Sequence, residues 1–409
     1  MKLNNFKSVF IHMGGFIAII SLLIIWGVEN YPKFPKTILL SLLFVSLCYW
    51  ALFILLPSPK SEVIAQQPYS IFNLILSCYG ANVILIALFR LDYSRPILLY
   101  GALLTYAWYL GFHLLKRRIE PIELHAIGNF DIQEFKKYEN LDLHRIKTPF
   151  PLASISNGLV VNLHHKLNKE EEKFIADCSI KNIPIYHSET IKEKLDKKIA
   201  TTHLNENTIK TPNPHLFYSK AKPVIEASLI LLATPVLTPF IAIICVAIYL
   251  EKSGSILFKQ ERTGYNGQLF VIYKFRTMKE RNINTATFAS DESDRISKLG
   301  FWLRKFRLDE LPQLFNVLKG EMALIGPRPE QPDFVQLFES EIPFYNYRHT
   351  IKPGITGWAQ VKQGYTDNTN STKDKLGYDL YYIKNMSLDL DFEIIFRTVF
   401  IMMTGKGAK

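Results

Sequence analysis

The stretch KPVIEASLILLATPVLTPFIAIICVAIYLEK, from Lys222 to Lys252, decides how the rest of the chain must be folded. It is apolar for longer than the roughly 20 residues that cross a hydrocarbon core of about 30 Å, yet Pro235 and Pro239 stand at its centre. A proline inside a helix removes a backbone hydrogen bond and clashes with the carbonyl one turn back, costing about 3 kcal/mol. A plain crossing is therefore the less comfortable shape. Lys220 and Lys222 precede the stretch, and Lys252, Lys259 and Arg262 follow it. The preference of cations for the cytoplasmic side pulls both ends to one face. A re-entrant helix-break-helix meets both constraints. The alternative is an ordinary kinked fifth span, which would carry everything after Lys252 to the outer face.

Upstream, four more apolar stretches occupy about Phe10 to Trp26, Thr37 to Leu56, Tyr69 to Phe89 and Pro96 to Leu115. Each approaches spanning length, and four transmembrane helices are expected. No A-x-A-like site follows the first, so it is expected to stay on as a span rather than leave as a signal peptide. Lys2, Lys7, Lys60 and the Lys116-Arg117-Arg118 cluster outweigh Lys33, Lys36, Arg90 and Arg95, which puts both ends of this region in the cytoplasm. The 409 residues allow two or three domains, and a hydrophobic share of 48% is high for a soluble protein. A net charge of +11 then points to anionic headgroups and phosphorylated substrates rather than to nucleic acid. Cys48, Cys78, Cys178 and Cys245 are too scattered for a disulfide framework or a zinc site and fit a reducing compartment.

From about Glu120 to Asn213 the character changes. NGLVVNLHH (Asn157 to His165) reads as a buried strand, NKEEEKFIADCSIK (Asn168 to Lys181) as a helix and IPIYH (Ile183 to His187) as a strand, together one βαβ unit. His164 and His165 read as a solvated strand end. TIKTPNPH (Thr208 to His215) is a linker. The expected domains are a transmembrane region at 1–118, a cytoplasmic α/β domain with linker at 119–215, and a third at 216–409, with the re-entrant helix at about 222–250.

The third domain carries the chemistry. In LRKFRLDELPQLFNVLKGEMALIGPRPE (Leu303 to Glu330), Leu311, Leu314, Phe315 and Leu318 recur at helical spacing, Pro312 suits a first turn and Gly320 a C-terminal cap. Asp309 thus falls at or near the helix N-cap. It reads either as a simple cap or, beside Arg304 and Arg307, as a carboxylate of lowered pKa that stays ionised and attacks phosphorus. A carboxylate facing a pyrophosphate needs a divalent cation, and Glu310 is an oxygen ligand suited to Mg²⁺. Lys274 and Arg276, two apart on the strand LFVIYKFRTM, share a face and with Arg304 and Arg328 could form a cationic phosphate pocket. Gly326-Pro327-Arg328-Pro329 is a rigid turn aiming Arg328. Pro353-Gly354 and Gly357 do the same for the segment with Trp358 and Gln360. Trp358 reads equally as an interface anchor or as core.

KFRTM, LDELPQLFNVLKGEMALIGPRPE and KPGITGWAQVKQG, in that order, resemble the bacterial sugar transferase family, the monotopic polyprenyl-phosphate phosphoglycosyl transferases. The likeness covers about Lys220 to Lys409, and the four spans with a middle α/β unit resemble the long form. The resemblance implies a helical transmembrane bundle, a small α/β domain and a mainly α (α+β) catalytic domain with a membrane hairpin broken at Thr234-Pro235. It also implies transfer of a sugar-1-phosphate from a UDP-sugar to undecaprenyl phosphate on the cytoplasmic face of the bacterial inner membrane, initiating exopolysaccharide, capsule or O-antigen repeat units. Asp309 would be the nucleophile, UMP the leaving group and Glu310 the Mg²⁺ ligand. Arg304, Arg328 and Asp379 of YDLYY match site positions of the family. Glu226 stands where the family commonly has an aspartate. The long-form members suggest a homodimer. A non-catalytic membrane scaffold and a nucleotide-sugar hydrolase are the competing readings.

Overall fold

All four N-terminal apolar stretches form helices in the computed structural model: α1 (Lys2–Asn30), α2 (Pro35–Leu55), α3 (Pro68–Phe89) and α4 (Arg95–Ile119). The structure describes residues 2–30, 35–56, 68–119, 122–138, 141–155, 157–162, 166–201, 216–251, 254–278, 296–363 and 369–404. They fall into two units, Met1–Leu195 and Asp196–Lys409. Leu23, Val45, Tyr49, Leu52 and Ile97 are buried between the four helices. Gly101 lets α4 approach α2, since a Cβ there would sit 2.5 Å from Val45 Cγ2. In an apolar surrounding every polar group needs an internal partner. Tyr49 Oη accordingly donates to the His12 carbonyl (2.8 Å) and Tyr109 Oη to the Tyr49 carbonyl (3.0 Å).

The same unit holds a parallel sheet of order β2-β1-β3-β4, built from β1 (Ile122–Ile127), β2 (Leu141–Arg145), β3 (Leu159–Val161) and β4 (Ile185–His187). Helix α5 (Lys169–Ile180) joins β3 to β4, so the expected βαβ unit is present. A capping box starts it: Asn168 Oδ1 accepts from Glu171 N (2.7 Å) and Glu171 Oε2 from Asn168 N (2.9 Å). Helix α6 (Ser188–Asp196) follows. His164, His165, the linker Thr208 to His215 and the Lys116-Arg117-Arg118 side chains lie outside the described residues.

The second unit begins before residue 216. Ile199 N donates to the Gly377 carbonyl (3.0 Å), Trp358 Nε1 to the Lys197 carbonyl (2.8 Å), and Lys197 pairs with Glu393. Helix α7 (Leu216–Leu250) is helical throughout, with Pro223, Pro235 and Pro239 inside it. The break expected at Thr234-Pro235 therefore does not appear as an interruption of the helix. Instead Thr234 Oγ1 donates to the Ile230 carbonyl and Thr238 Oγ1 to the Thr234 carbonyl, both at 2.8 Å, a back-bonding pattern that bends helices.

After α7 come the antiparallel hairpin β5 (Leu257–Thr263) and β6 (Leu269–Phe275), then α8 (Lys298–Lys305) and α9 (Gln313–Leu318). Strand β7 (Ala323–Ile325) pairs in parallel with β8 (Gly354–Thr356). Helices α10 (Pro332–Glu341), α11 (Trp358–Lys362), α12 (Thr369–Lys384) and α13 (Leu388–Thr404) complete a mainly helical domain. Trp358 is core, 1% exposed, among Tyr345, Leu376, Tyr382 and Ile394. It is not an interface anchor.

Candidate active site

Three elements deliver the charged side chains. Strand β6 carries Lys274. Helix α8 carries Arg304 in its last turn and starts at Ser297, whose Oγ accepts from Gly300 N (2.9 Å). Gly300 is glycine for a steric reason, since a Cβ there would lie 2.2 Å from the Thr277 carbonyl oxygen. Between α8 and α9 the chain turns through Arg307, which holds the left-handed conformation (φ 52°), into a short 3₁₀ turn, Leu308–Glu310. Asp309 sits inside that turn and Arg307 precedes it, so Asp309 is not the N-cap of α9. A left-handed arginine is strained backbone beside the acidic pair, as is common where chemistry is done.

Of the apolar face expected from the spacing, Leu311 and Leu314 pack against the core, but helix α9 also turns polar residues inward. Gln313 and Asn316 are buried, while Phe315 and Leu318 are 55% and 43% exposed. The reason is Asn316, which stitches the helix to β6: its Oδ1 accepts from Tyr273 N (3.3 Å) and its Nδ2 donates to the Val271 carbonyl (2.7 Å). That stitching fixes the acidic turn against Lys274.

Glu310 is 6% exposed. Its Oε1 accepts from Lys274 Nζ (3.1 Å) and Arg328 Nη1 (3.0 Å), and its Oε2 lies 3.9 Å from Arg307 Nη1. Burial alone would raise its pKa, but Lys274, Arg328 and Arg307 together hold it well below the usual carboxylate range. Asp309 behaves oppositely. Burial, and next the adjacent Glu310 charge, push it up to about 6 against the pull of Lys274, Arg304 and Arg328. The lowered pKa expected for Asp309 is thus corrected, because burial and the Glu310 charge outweigh the pull of the neighbouring cations. Arg304 Nη1 is buried and has no hydrogen-bond partner among the described residues.

Arg328 is aimed from behind. Three successive carbonyls of its segment are each held by a different donor: Arg328 O by Arg348 Nη2 (2.9 Å), Pro329 O by Arg262 Nη1 (3.2 Å) and Glu330 O by Thr263 N (3.0 Å). Glycines lock the two motif turns together, since a Cβ on Gly354 would fall 2.0 Å from Gly326 N and one on Gly357 would fall 2.1 Å from Gly326 O. Asp379 is buried and pairs with Arg348 at 3.0 Å, one step behind the site rather than at the acidic pair. Arg276 lies just beyond β6 and donates to Ser255 Oγ (2.8 Å). Glu226 pairs with Lys222 (3.1 Å) and accepts from Ile325 N (3.4 Å). The supporting roles of Arg348, Arg262, Asn316 and the Glu330–Lys375 pair (2.6 Å) escaped the sequence reading, which noted Arg262 only as a flanking cation.

One carboxylate anchored by cations, a second left unbonded beside it, and a guanidinium nitrogen without a partner suit an enzyme that handles phosphate-bearing substrates. Residues 217–405 match the sequence profile of the family described as bacterial sugar transferase. A UDP-N-acetylgalactosamine-undecaprenyl-phosphate N-acetylgalactosaminephosphotransferase of Aeromonas hydrophila is 38% identical over 339 residues, covering 82% of this chain and 80% of that protein. A UDP-glucose:undecaprenyl-phosphate glucose-1-phosphate transferase of Escherichia coli (strain K12) is 38% identical over 192 residues, 46% of this chain and 41% of that protein. An exopolysaccharide production protein, PSS, of Rhizobium leguminosarum bv. phaseoli is 39% identical over 180 residues, 42% of this chain and 90% of that protein. The chain belongs to the bacterial sugar transferase family and is an enzyme of that class.

Proposed function

We propose that the protein transfers a sugar-1-phosphate from a UDP-sugar to undecaprenyl phosphate at the cytoplasmic face of the bacterial inner membrane, initiating exopolysaccharide, capsule or O-antigen repeat-unit synthesis. The observation that carries this reading is the division of labour in the acidic pair: Glu310 is bound by Lys274 and Arg328, while Asp309 accepts no hydrogen bond among the described residues. A free carboxylate is the nucleophile and a fixed one the electrostatic anchor. An Asp309 oxygen attacks the sugar-side phosphorus, the new O–P bond forms as the P–O–P bond breaks, and UMP leaves with the bridging oxygen. A phosphate oxygen of the lipid then attacks that phosphorus, and the Asp309–phosphorus bond breaks to regenerate the carboxylate. Arg304, with its unpartnered nitrogen, and Arg328 would hold the transferring phosphate's oxygens.

The donor set fits Mg²⁺. Oε1 of Glu310 is doubly engaged but Oε2 has only Arg307 near it, at 3.9 Å. Such an ion would take one or two carboxylates and complete its shell with substrate phosphates and water. When bound to Glu310, Mg²⁺ supplies charge neutralisation to the pyrophosphate.

A hairpin conformation of α7 is part of the proposal. Ile230 packs in one cluster with Ile272 and Val317, whereas Ile244 and Ile248 pack in another with Phe275 and Leu303. A straight helix from Ile230 to Ile248 would run about 27 Å, but Ile272 and Phe275 on β6 are only about 10 Å apart. Both limbs resting on one domain favour a bend between them and a cytoplasmic site. A homodimer completes the proposed assembly.

The test is purified protein with Mg²⁺, a panel of UDP-sugars and undecaprenyl phosphate, scored for UMP and lipid product. Without the lipid, UMP is expected in one burst matching the enzyme present, with a phosphosugar adduct on Asp309 by mass spectrometry. Asp309→Asn should lower turnover at least about 10³-fold. Continuous UMP release without lipid would point to a hydrolase, and full complementation of a deletion strain by Asp309→Asn to a scaffold.

A further inference from the structure

A cavity of about 660 Å³ lies beside the first turns of α7 and is lined mainly by apolar side chains, among them Ala227, Leu318, Met322, Ile325, Leu380 and Met386. Its size and lining are those of a small-molecule site. None of Asp309, Glu310, Lys274, Arg304 or Arg328 lines it, so it is separate from the acidic pair. Its floor is electrically closed: Lys222 gives its ammonium to Asp391, to Glu226 (3.1 Å) and to Tyr382 Oη (3.1 Å). Three acceptors use all three donors of a lysine, so the floor offers a ligand no free cation. Lys352 on the lining is different. It is half-buried, makes no ion pair or side-chain hydrogen bond among the described residues, and its Nζ lies 3.5 Å from where a Cβ of Gly320 would be.

We propose that this cavity binds an acidic phospholipid of the surrounding bilayer, with acyl chain against the apolar lining and phosphate on Lys352. Each half of the cavity excludes a simpler occupant. A small hydrophilic anion would leave the apolar walls wet, and a zwitterionic lipid brings a phosphate already balanced by its own cation, whereas an acidic lipid brings one free to pair with Lys352. The bilayer is the source because the lining residues Pro223, Glu226 and Ala227 share α7 with Val224 and Leu232, which are 67% and 78% exposed. The cavity therefore borders the part of the helix that is apolar enough to enter a membrane. Leu318 and Gly320 place the lipid at the C-terminal end of α9, opposite the acidic turn, so occupancy would brace the helix that follows the turn bearing Asp309.

The test is lipid retention by the full-length chain in nanodiscs of phosphatidylcholine alone or mixed with phosphatidylglycerol, followed by detergent extraction and native mass spectrometry. The wild type is expected to keep one phosphatidylglycerol. Lys352→Gln should keep it at least about tenfold less, the scale of one charge-assisted contact, and Ala227→Phe, which fills the cavity, should keep none while still inserting into the disc. Equal retention by wild type and both variants overturns the proposal. So does displacement of phosphatidylglycerol by added undecaprenyl phosphate, which would make the cavity a berth for the acceptor's chain, or a dimer that Ala227→Phe dissociates with no lipid retained. No turnover is measured, so failure here and failure of the proposed reaction remain distinguishable.

Discussion

The α1–α4 bundle and helix α7 are each apolar and long enough to cross a membrane, but they are held by different means. In the bundle spans, 22% to 39% of residues are buried, against 11% in α7. The bundle is closed by close helix approach at Gly101 and by neutral tyrosine hydroxyls bonded to backbone carbonyls. Helix α7 shows Leu232, Val236 and Ile243 at 78%, 74% and 68% exposure, and what anchors it is a buried ionic cluster at its base, where Lys222 meets Asp391 and Glu226. The bundle is stabilised within itself. Helix α7 belongs to the catalytic domain and draws its fixed position from it. Burying charge costs far more than burying hydroxyls, so the two regions should respond to mutation on different scales.

The largest effect is expected at that base. Lys222→Met leaves Asp391 and Glu226 buried without their cation, and breaking a buried pair from one side costs about 3–5 kcal/mol. Denaturant unfolding of the detergent-solubilised protein measures it, and a loss below about 1 kcal/mol would erase the contrast with the bundle. Next is Gly354→Ala, which drives a methyl group into Gly326 N and displaces the turn that aims Arg328. A shift of about 1 Å at a catalytic group is worth about 10²-fold in rate, so turnover should fall by that factor with substrate affinity changed less. Smaller again is Gly101→Ala in the bundle, an overpacking change of about 1–3 kcal/mol. It should lower the melting temperature and leave the turnover of the folded fraction within about twofold. A large rate loss there would show that the bundle takes part in catalysis.

How much of this was legible in the sequence follows from the range of each interaction. Apolar runs report themselves locally, so the four spans were found to within a few residues. The βαβ unit was equally plain, because its two apolar strands flank a charged helical segment within 31 residues, Asn157 to His187. Gly326, Arg328, Gly354 and Gly357 were legible as rigid turns, yet nothing in their spacing says that the two turns interlock backbone to backbone. Arg348 and Asp379 are 31 positions apart and fall on no shared period, so their support of Arg328 could not be read in advance. Half of the α9 face was legible, in Leu311 and Leu314; the other half was not, because Asn316 serves the backbone of β6 rather than an apolar core. The direction of the Asp309 pKa was not legible, because sequence lists the cations but not the burial that outweighs them.

The smallest effect concerns acid, and it returns to the same contrast. Described carboxylates of the bundle region, Glu29 and Asp92, are exposed, whereas the catalytic domain holds the part-buried Glu330 among Lys375 (2.6 Å), Arg262 (3.8 Å) and Arg348 (3.9 Å). Burial alone would raise Glu330, but Lys375, Arg348 and Arg262 bring it down to about 2. A folded-state pKa below the unfolded value of about 4.3 means stability that is complete above that value and lost as pH falls toward 2. Asp379 acts with the opposite sign, since burial raises it despite Arg348 and Lys375; protonating it relieves a cost that is present at neutral pH. Asp309, raised to about 6, adds to that relief, so the catalytic domain should firm slightly between pH 7 and about pH 5 and weaken only below about 4, as the lowered Glu310 and Glu330 are protonated, while the bundle changes little throughout. Unfolding followed by a probe in each region checks this, and Glu330→Gln should flatten the acid limb of the catalytic domain alone. If both regions weakened in parallel, the ionic anchoring of the catalytic domain would not be what separates them.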